Sequence, residues 1–284
     1  MIKPVLAHDE LLADIAEARN DTKTFHLWWL GQSGFLLVWK KSSLLIDPYL
    51  SDSLATQHAY GGKPHARMTE PVVDPRRLDF LDVTACTHSH PDHFDVETLR
   101  PLIEVNPAMK LVVPMAERAK AAETLGVDPE MLVGVDDGLT VKVGDFELTG
   151  IAAAHEELEQ DEAGHHRYSG LMVRFGPWTI FHAGDTVLYD GLVERLKKFA
   201  IDAAILPING RSPERGVAGN LNGTEAAQLA KVIDAWVAIP CHYDMFEFNT
   251  ASPDEFVAEA ARLEQPVRVL RCGERWSGEE LRLK

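Results

Sequence analysis

The segment Thr87-His88-Ser89-His90-Pro91-Asp92-His93-Phe94 constrains this chain more than any other, because three imidazoles and a carboxylate fall within its short span, directly after the apolar run Val83–Thr87. Such a run reads as a strand, so the cluster stands where a strand leaves its sheet. His88 and His90 are two apart in extended chain and project to the same side, which suits joint ligation of one ion. Asp92 and His93 lie beyond the turn at Pro91 and can face a second ion. Nitrogen and carboxylate donors in this mixture suit borderline ions such as zinc. The competing reading is a His-rich surface loop. The apolar strand before the cluster and the carboxylate inside it argue against that.

Around the cluster, strand-like and helical patterns alternate with no repeat, low-complexity tract or Ser/Gly linker, so residues 1–284 read as one domain. An amphipathic helix is predicted at about Asp9 to Arg19. Phe25–Leu30, Phe35–Trp39 and Leu44–Ile46, with Gly31-Gln32-Ser33-Gly34 between the first two, read as a β-meander. Pro48 to Pro75 has no clear period, and a loop that long is usually functional or mobile. Helices are expected over Val96–Val105 and Met115–Leu125, along the face Leu188, Leu192, Leu196 and Phe199, and over Thr224–Ile233. Further strands are Leu111–Pro114, Ala203–Pro207, Val237–Pro240 and Val267–Leu270. Leu139–Val143 with Phe146–Ile151, and Leu171–Phe175 with Trp178–His182, read as hairpins. Ser252-Pro253-Asp254-Glu255 is a helix start, with Ser as cap, Pro in the first turn and Glu three residues after the cap. The alternation is that of an α/β protein in which two mixed sheets pack together with helices outside.

His-x-His-x-Asp-His after a strand resembles the signature of the metallo-β-lactamase superfamily. Its other motifs follow in order: His155 after Ile151–Ala154, Asp185 in His182-Ala183-Gly184-Asp185-Thr186, and His242 in Pro240-Cys241-His242-Tyr243-Asp244. The resemblance spans Trp28 to Asp244. It implies a four-layer αββα sandwich of two mixed β-sheets with helices outside, carrying two divalent metal ions, Zn2+ or Mn2+. His88, His90 and His155 would hold the first ion and Asp92, His93 and His242 the second, with Asp185 and a hydroxide bridging them. Asp92 and Asp185 are then the carboxylates expected to act in catalysis. Each ion keeps room for substrate, which distinguishes a catalytic from a structural site. Asp47 resembles a position that braces the metal loop. His182 reads as a buried neighbour of the ligands. His8 and His26 are expected at the surface or an edge, and His165 and His166 in a solvated charged loop.

Trp28–Gly34 and Pro240–Phe246, with Ser252-Pro253-Asp254 beyond, resemble the L-ascorbate-6-phosphate lactonase group and its metal-dependent hydrolase relatives. Tyr243 departs from that group, which carries a second histidine there. The resemblance implies hydrolysis of a small cyclic ester, a lactone or a sugar phosphate lactone, with cations activating water and stabilising the oxyanion. A metal-dependent phosphodiesterase is the alternative, because the same ions can clamp a displacement at phosphorus. A non-catalytic metal-holding scaffold is the second. A phosphorylated substrate needs cationic handles, and the candidates are Lys63 and Arg67 in the long loop and Arg211 and Arg215 in Asn209–Gly223.

A formal net charge of −16, from 44 acidic and 28 basic residues, argues against a nucleic-acid partner. No cationic and apolar leader opens the sequence, and no apolar run is long enough to cross a bilayer. Cys86, Cys241 and Cys272 lack metal-knuckle spacing and read as reduced core thiols. The expectation is a cytoplasmic enzyme with a small-molecule substrate and no membrane partner. Trp28, Trp29, Trp236 and an unpaired strand edge leave homo-oligomers open.

Overall fold

The meander forms as β1 (Phe25–Gly31), β2 (Gly34–Trp39) and β3 (Ser42–Ile46), and the strand period of two sorts its side chains between two faces. Phe25, Leu27, Trp29, Phe35, Leu37, Leu44 and Ile46 enter the central core. Trp28, Leu30, Leu36, Val38 and Leu45 pack the other way, against Leu11 and Ile15 of α1 (His8–Ala18). Burial on both faces explains why these strands read as unbroken apolar runs rather than as polar–apolar alternation. The computed structural model describes residues 1–56, 65–216 and 218–281.

Three more strands of this sheet are β4 (Val83–Ala85), β5 (Lys110–Pro114) and β6 (Leu132–Val135). The second sheet holds β7 (Thr140–Val143), β8 (Phe146–Ala152), β9 (Ser169–Phe175), β10 (Trp178–His182), β11 (Ala203–Pro207) and β12 (Val237–Cys241). With β13 (Arg275–Ser277) at one edge, the strand orders are β13-β1-β2-β3-β4-β5-β6 and β12-β11-β10-β9-β8-β7. Both sheets are mixed. Phe25 ties them together, meeting Phe175, Trp178 and Trp276 edge-on at 5.5, 5.1 and 5.4 Å.

Helices cover the outer faces. After the short α2 (Ser53–Thr56), α3 (Val96–Val105) and α4 (Arg118–Leu125) lay Leu99, Ala121 and Leu125 on Leu111, Val113 and Leu132 of the first sheet. α5 (Leu192–Leu196), α6 (Gly223–Val232) and α7 (Asp254–Arg262) join the core of the second sheet through Leu192, Ala226, Ala230, Phe256 and Ala260. This is the two-sheet α/β arrangement the sequence predicted. No helix among the described residues is long and apolar enough to cross a membrane.

Several local expectations shift. Only Leu192 and Leu196 of the expected Leu188–Phe199 face share a helix; Leu188 lies before it, exposed. Met115–Glu117 is a 3₁₀ turn feeding α4. The chain closes not on Val267–Leu270, which keeps a single bridge from Val267 to Ala238, but on β13. Ser252 Oγ accepts the Asp254 N–H at 3.2 Å as a cap should, yet Glu255 does not complete a capping box. Its carboxylate accepts instead from Thr224 N and Oγ1, pinning α7 to α6. Trp28 and Trp29 are buried and offer no surface for self-association; Trp236 is exposed. The three cysteines are free and buried.

Strand register then gathers the functional loops at one rim. Ile46 and Ala85 lie side by side at the C-terminal ends of β3 and β4, and Phe35 at the start of β2 pairs with Ile46. On the second sheet Ala152 pairs with Ser169, His182 with Leu171 and Ile205, and Pro207 with Cys241. The two rims meet where Ser169 N donates to Thr87 O at 3.0 Å and His242 N donates to Gln32 O at 2.9 Å.

Candidate metal centre

The seven side chains singled out from the sequence converge at this rim. Their donor atoms form three overlapping groups, each spanning no more than 4.8 Å: His88, His90 and His155; His88, His93 and Asp185; and Asp92, His93 and His242. Asp185 is central. Its carboxylate lies 3.3 Å from His93 Nε2, 3.4 Å from His242 Nε2 and 3.7 Å from His155 Nε2. Asp92 Oδ2 stands 3.5 Å from His242 Nε2 and 3.6 Å from His93 Nε2.

Outer contacts fix which ring nitrogen faces the cluster. His93 Nδ1 donates to Asp47 Oδ2 at 2.7 Å, and His155 Nδ1 donates to Gly219 O at 3.0 Å, so Nε2 is the nitrogen that each ring turns inward. Asp47 also accepts from Thr87 N and Thr87 Oγ1, each at 2.7 Å. It therefore braces the loop through three bonds, as the sequence suggested. The brace holds Asp47 itself at φ +44°, and the neighbouring turns hold Gln32 at +50° and His242 at +65°. Left-handed backbone at three non-glycine residues around one site is strain that the surrounding contacts must maintain. Gly184 shows why the Gly-Asp pair matters: at φ +61°, a Cβ there would lie 2.8 Å from Thr87 Cβ.

His88 Nε2 is buried without a hydrogen-bond partner, and His93 Nε2 and Asp185 Oδ1, though 3.3 Å apart, make no well-aligned hydrogen bond to each other or to another group among the described residues. Buried polar atoms left unpaired are costly, and several aimed at one point are what a cation would satisfy. The donor set fits divalent ions. Its two ends also differ in charge. Burial pushes the His88 imidazole well below its ordinary value and His90 down to about 4, leaving both neutral. Burial would lower His93 and His242 too, but the carboxylates of Asp185 and Asp92 outweigh it, raising His93 strongly and His242 to about 9. Asp185 is held well below the usual carboxylate range, because the charges of His93 and His242 overcome its burial.

Beside the cluster opens a cavity. His90, Asp92, His155 and Asp185 form its floor, Leu54, Pro91, Ala218 and Phe246 its apolar wall, and His65 and Asn249 its polar rim. Of the expected cationic handles, the three arginines are engaged elsewhere. Arg67 donates to Thr69 O and Ser51 O at 2.8 Å each, pairs with Asp52 at 3.3 Å and lies over the Tyr49 ring. Arg211 pairs with Glu225 on the surface. Arg215 donates to Asn209 O and, at 3.2 Å, to Thr250 O. Each guanidinium is drawn to a nearby carbonyl or carboxylate rather than to the cavity, and Lys63 lies outside the described residues.

Other histidines fall mostly where the sequence put them. His182 is buried and accepts the Gly184 N–H on Nδ1 while Nε2 donates to Ser33 O at 2.9 Å, so it supports the Gly-Asp turn. His8 is exposed. His26 is not on an edge strand: it is buried and pairs with Asp21 at 3.3 Å. His165 is half-buried beside Asp161, and His166 is tied to Asp136 at 2.8 Å rather than loose in solvent. Tyr243 is turned away from the site, stacked on Trp29 at 4.3 Å with its hydroxyl on Leu270 O.

Two residues were missed as site residues. Tyr168 places its ring 5.4, 5.8 and 5.5 Å from those of His88, His90 and His155, and nothing in its sequence neighbourhood signals this. Gln32 reaches Asp92 with its amide at 2.8 Å. Its place in a Gly-Gln-Ser-Gly turn, a bulky polar residue between two glycines, was the available hint.

Similarity to known proteins accords with this geometry. The family described as "Beta-lactamase superfamily domain" matches residues 43–243. A UPF0173 metal-dependent hydrolase of Opitutus terrae is 31% identical over 254 residues, covering 87% of this chain and 97% of that one. This chain belongs to the UPF0173 metal-dependent hydrolases of the metallo-β-lactamase superfamily. A second family member, from Methanopyrus kandleri, is 30% identical over 247 residues, covering 85% of this chain and 94% of the relative. Among solved structures, Igni18, a metallo hydrolase from Ignicoccus hospitalis, superposes with a TM-score of 0.66 at 21% identity, covering 90% of this chain and 98% of that one. An isothiocyanate hydrolase from Delia radicum gut bacteria gives 0.70 at 17% identity, covering 88% and 98%. At such identities these two speak for the shared fold alone. As a member of the family, the chain is a metal-dependent hydrolase.

Proposed function

We propose that this UPF0173 member opens small, uncharged cyclic esters, lactones, with two divalent cations of zinc or manganese type. His88, His90 and His155 would hold one and Asp92, His93 and His242 the other, with Asp185 between them. When bound, such cations lower the pKa of water and polarise the carbonyl under attack. The protein's own groups do the rest. Asp47 and Gly219 O fix the ring tautomers of His93 and His155. Asp92, on the cavity floor, would take the proton that the attacking water gives up and return it to the departing alkoxide. Leu54, Pro91, Ala218 and Phe246 exclude water around the ring, while Asn249 supplies an amide to orient a polar ester.

One observation carries the choice of substrate: the cavity beside the donor cluster is walled by apolar side chains and has no cationic side chain among the described residues that line it. A lactone phosphorylated away from the ester under attack would leave that charge without a cationic side chain among the described residues lining the cavity, and buried unpaired charge is expensive. The test is a parallel assay of neutral lactones, phosphorylated lactones and phosphodiesters, with protein stripped by chelator and reloaded with Zn2+ or Mn2+. Neutral lactones should be turned over best, and only by loaded protein. Turnover of a diester with silence on every lactone would replace this reading by a phosphodiesterase. Activity that persists in strong chelator would remove the cations from it.

A further inference from the structure

Asparagines from two loops join end to end beside the cavity. Asn220 Nδ2 donates to Asn209 Oδ1 at 3.0 Å, and Asn209 Nδ2 donates to Asn249 Oδ1 at 2.9 Å. Asn209, which follows β11, and Asn220 are buried, while Asn249, beyond β12, lines the cavity. Such a row of amides can run in either direction, since each amide accepts at one corner and donates at the other. Arg215 breaks the tie. Its guanidinium is held by Asn209 O and, at 3.2 Å, by Thr250 O, and its Nη1 stands 3.5 Å from Asn249 Oδ1. Arginine donates and cannot accept, so the corner of Asn249 that faces it must be the oxygen.

That oxygen has two lone pairs; Asn209 takes one and Arg215 faces the other. The corner of Asn249 left for the cavity is its NH2 group. We infer that Arg215, acting through Asn209 and Asn249, sets the Asn249 side of the cavity rim as a hydrogen-bond donor, so that the favoured lactone carries an acceptor oxygen, an ether or a ketone, on the substituent that meets it. The inference rests on the lactone reading above and narrows its substrate class. Asn249 is the residue that touches substrate; Asn209 and Arg215 are positioning residues. The charge of Arg215 then orients an amide instead of holding an anion.

The experiment uses full-length protein loaded with Zn2+ and three matched γ-lactones. Their substituent beside the ring oxygen is methoxymethyl, which only accepts, propyl, which does neither, or pyrrol-2-yl, whose N–H only donates. Each has a tetrahydrofuran counterpart that cannot be hydrolysed, so binding is read by NMR independently of turnover. Wild type should bind and turn over the ether roughly 3- to 10-fold better than the propyl compound, the net worth of one neutral hydrogen bond. Asn209→Asp accepts at both corners, which turns the Asn249 amide round and should invert the preference toward pyrrolyl. Arg215→Met should bring ether and propyl to parity, and Arg215→Lys, still a donor that cannot accept, should restore part of the difference. Thermal unfolding checks that the variants fold; if Asn209→Asp does not, the Met and Lys pair decides. Equal binding of ether and propyl by wild type, no binding of either, or variants that weaken all three probes alike would overturn the inference. Ether-selective binding of the tetrahydrofurans without turnover of any lactone would sustain it and overturn the lactone reading instead.

Discussion

Asp47→Asn tests how far the metal centre depends on a residue that touches no cation. Asparagine matches aspartate in size and tolerates the left-handed backbone at φ +44°, so the turn should survive. Asp47 accepts three bonds of 2.7 Å, from Thr87 N, Thr87 Oγ1 and His93 Nδ1. The Asn carbonyl can keep Thr87 N, but its amino group must then face Thr87 Oγ1 and His93 Nδ1. Thr87 Oγ1 can reverse its role. His93 can accept at Nδ1 only by moving its proton to Nε2, which withdraws the ligating lone pair. Outer partners of this kind are worth roughly 10–100-fold in metal affinity, or about 1.4–2.7 kcal/mol. Hydrolysis should fall in parallel at subsaturating metal and recover in part when metal is raised. Calorimetric titration with Zn2+ measures the affinity directly. An affinity within about twofold of wild type would refute the claim that the Asp47 brace sets the His93 tautomer.

Three further outcomes are expected. Gly184→Ala sets a Cβ 2.8 Å from Thr87 Cβ at φ +61° and should cost about 2 kcal/mol or more, read as a lowered unfolding midpoint together with weaker metal binding. Arg211→Ala removes an exposed pair with Glu225 and should change stability by less than about 1 kcal/mol, with KM unaltered for neutral and anionic substrates alike; a selective rise for anionic ones would return Arg211 to the site. His242, raised from 6.5 to about 9, is protonated at neutral pH in chelated protein, so metal uptake must release that proton. Affinity should therefore climb as pH rises toward 9, with proton release visible as buffer-dependent binding heat. In chelator the same group's stabilising contribution, full below 6.5, should fade as pH rises through 9.

The centre was legible in the sequence to the extent that its donors are contiguous. His88, His90, Asp92 and His93 are brought together by one turn of chain, so spacing alone argues for a cation there. His155, Asp185 and His242 were found through the order of motifs, since a lone histidine after a strand carries no signal by itself. Gln32, Tyr168 and the engagements of Arg67, Arg211 and Arg215 were not legible. Each depends on which segment lies across from it, over separations as large as the 210 residues between Gln32 and His242.

By itself the sequence determined the local pieces: the meander from Phe25 to Ile46, α3 over Val96–Val105, the Ser252 cap and the donor-rich turn after β4. These follow from side-chain periodicity, capping and turn chemistry, which act over a few residues. Only the tertiary structure decided that β13 closes the first sheet, that both sheets end at one rim, and that Arg67, Arg211 and Arg215 turn to partners of their own. Those outcomes depend on strand register and on competition between partners distant in the chain. A one-residue change in either leaves every local pattern intact and moves the site.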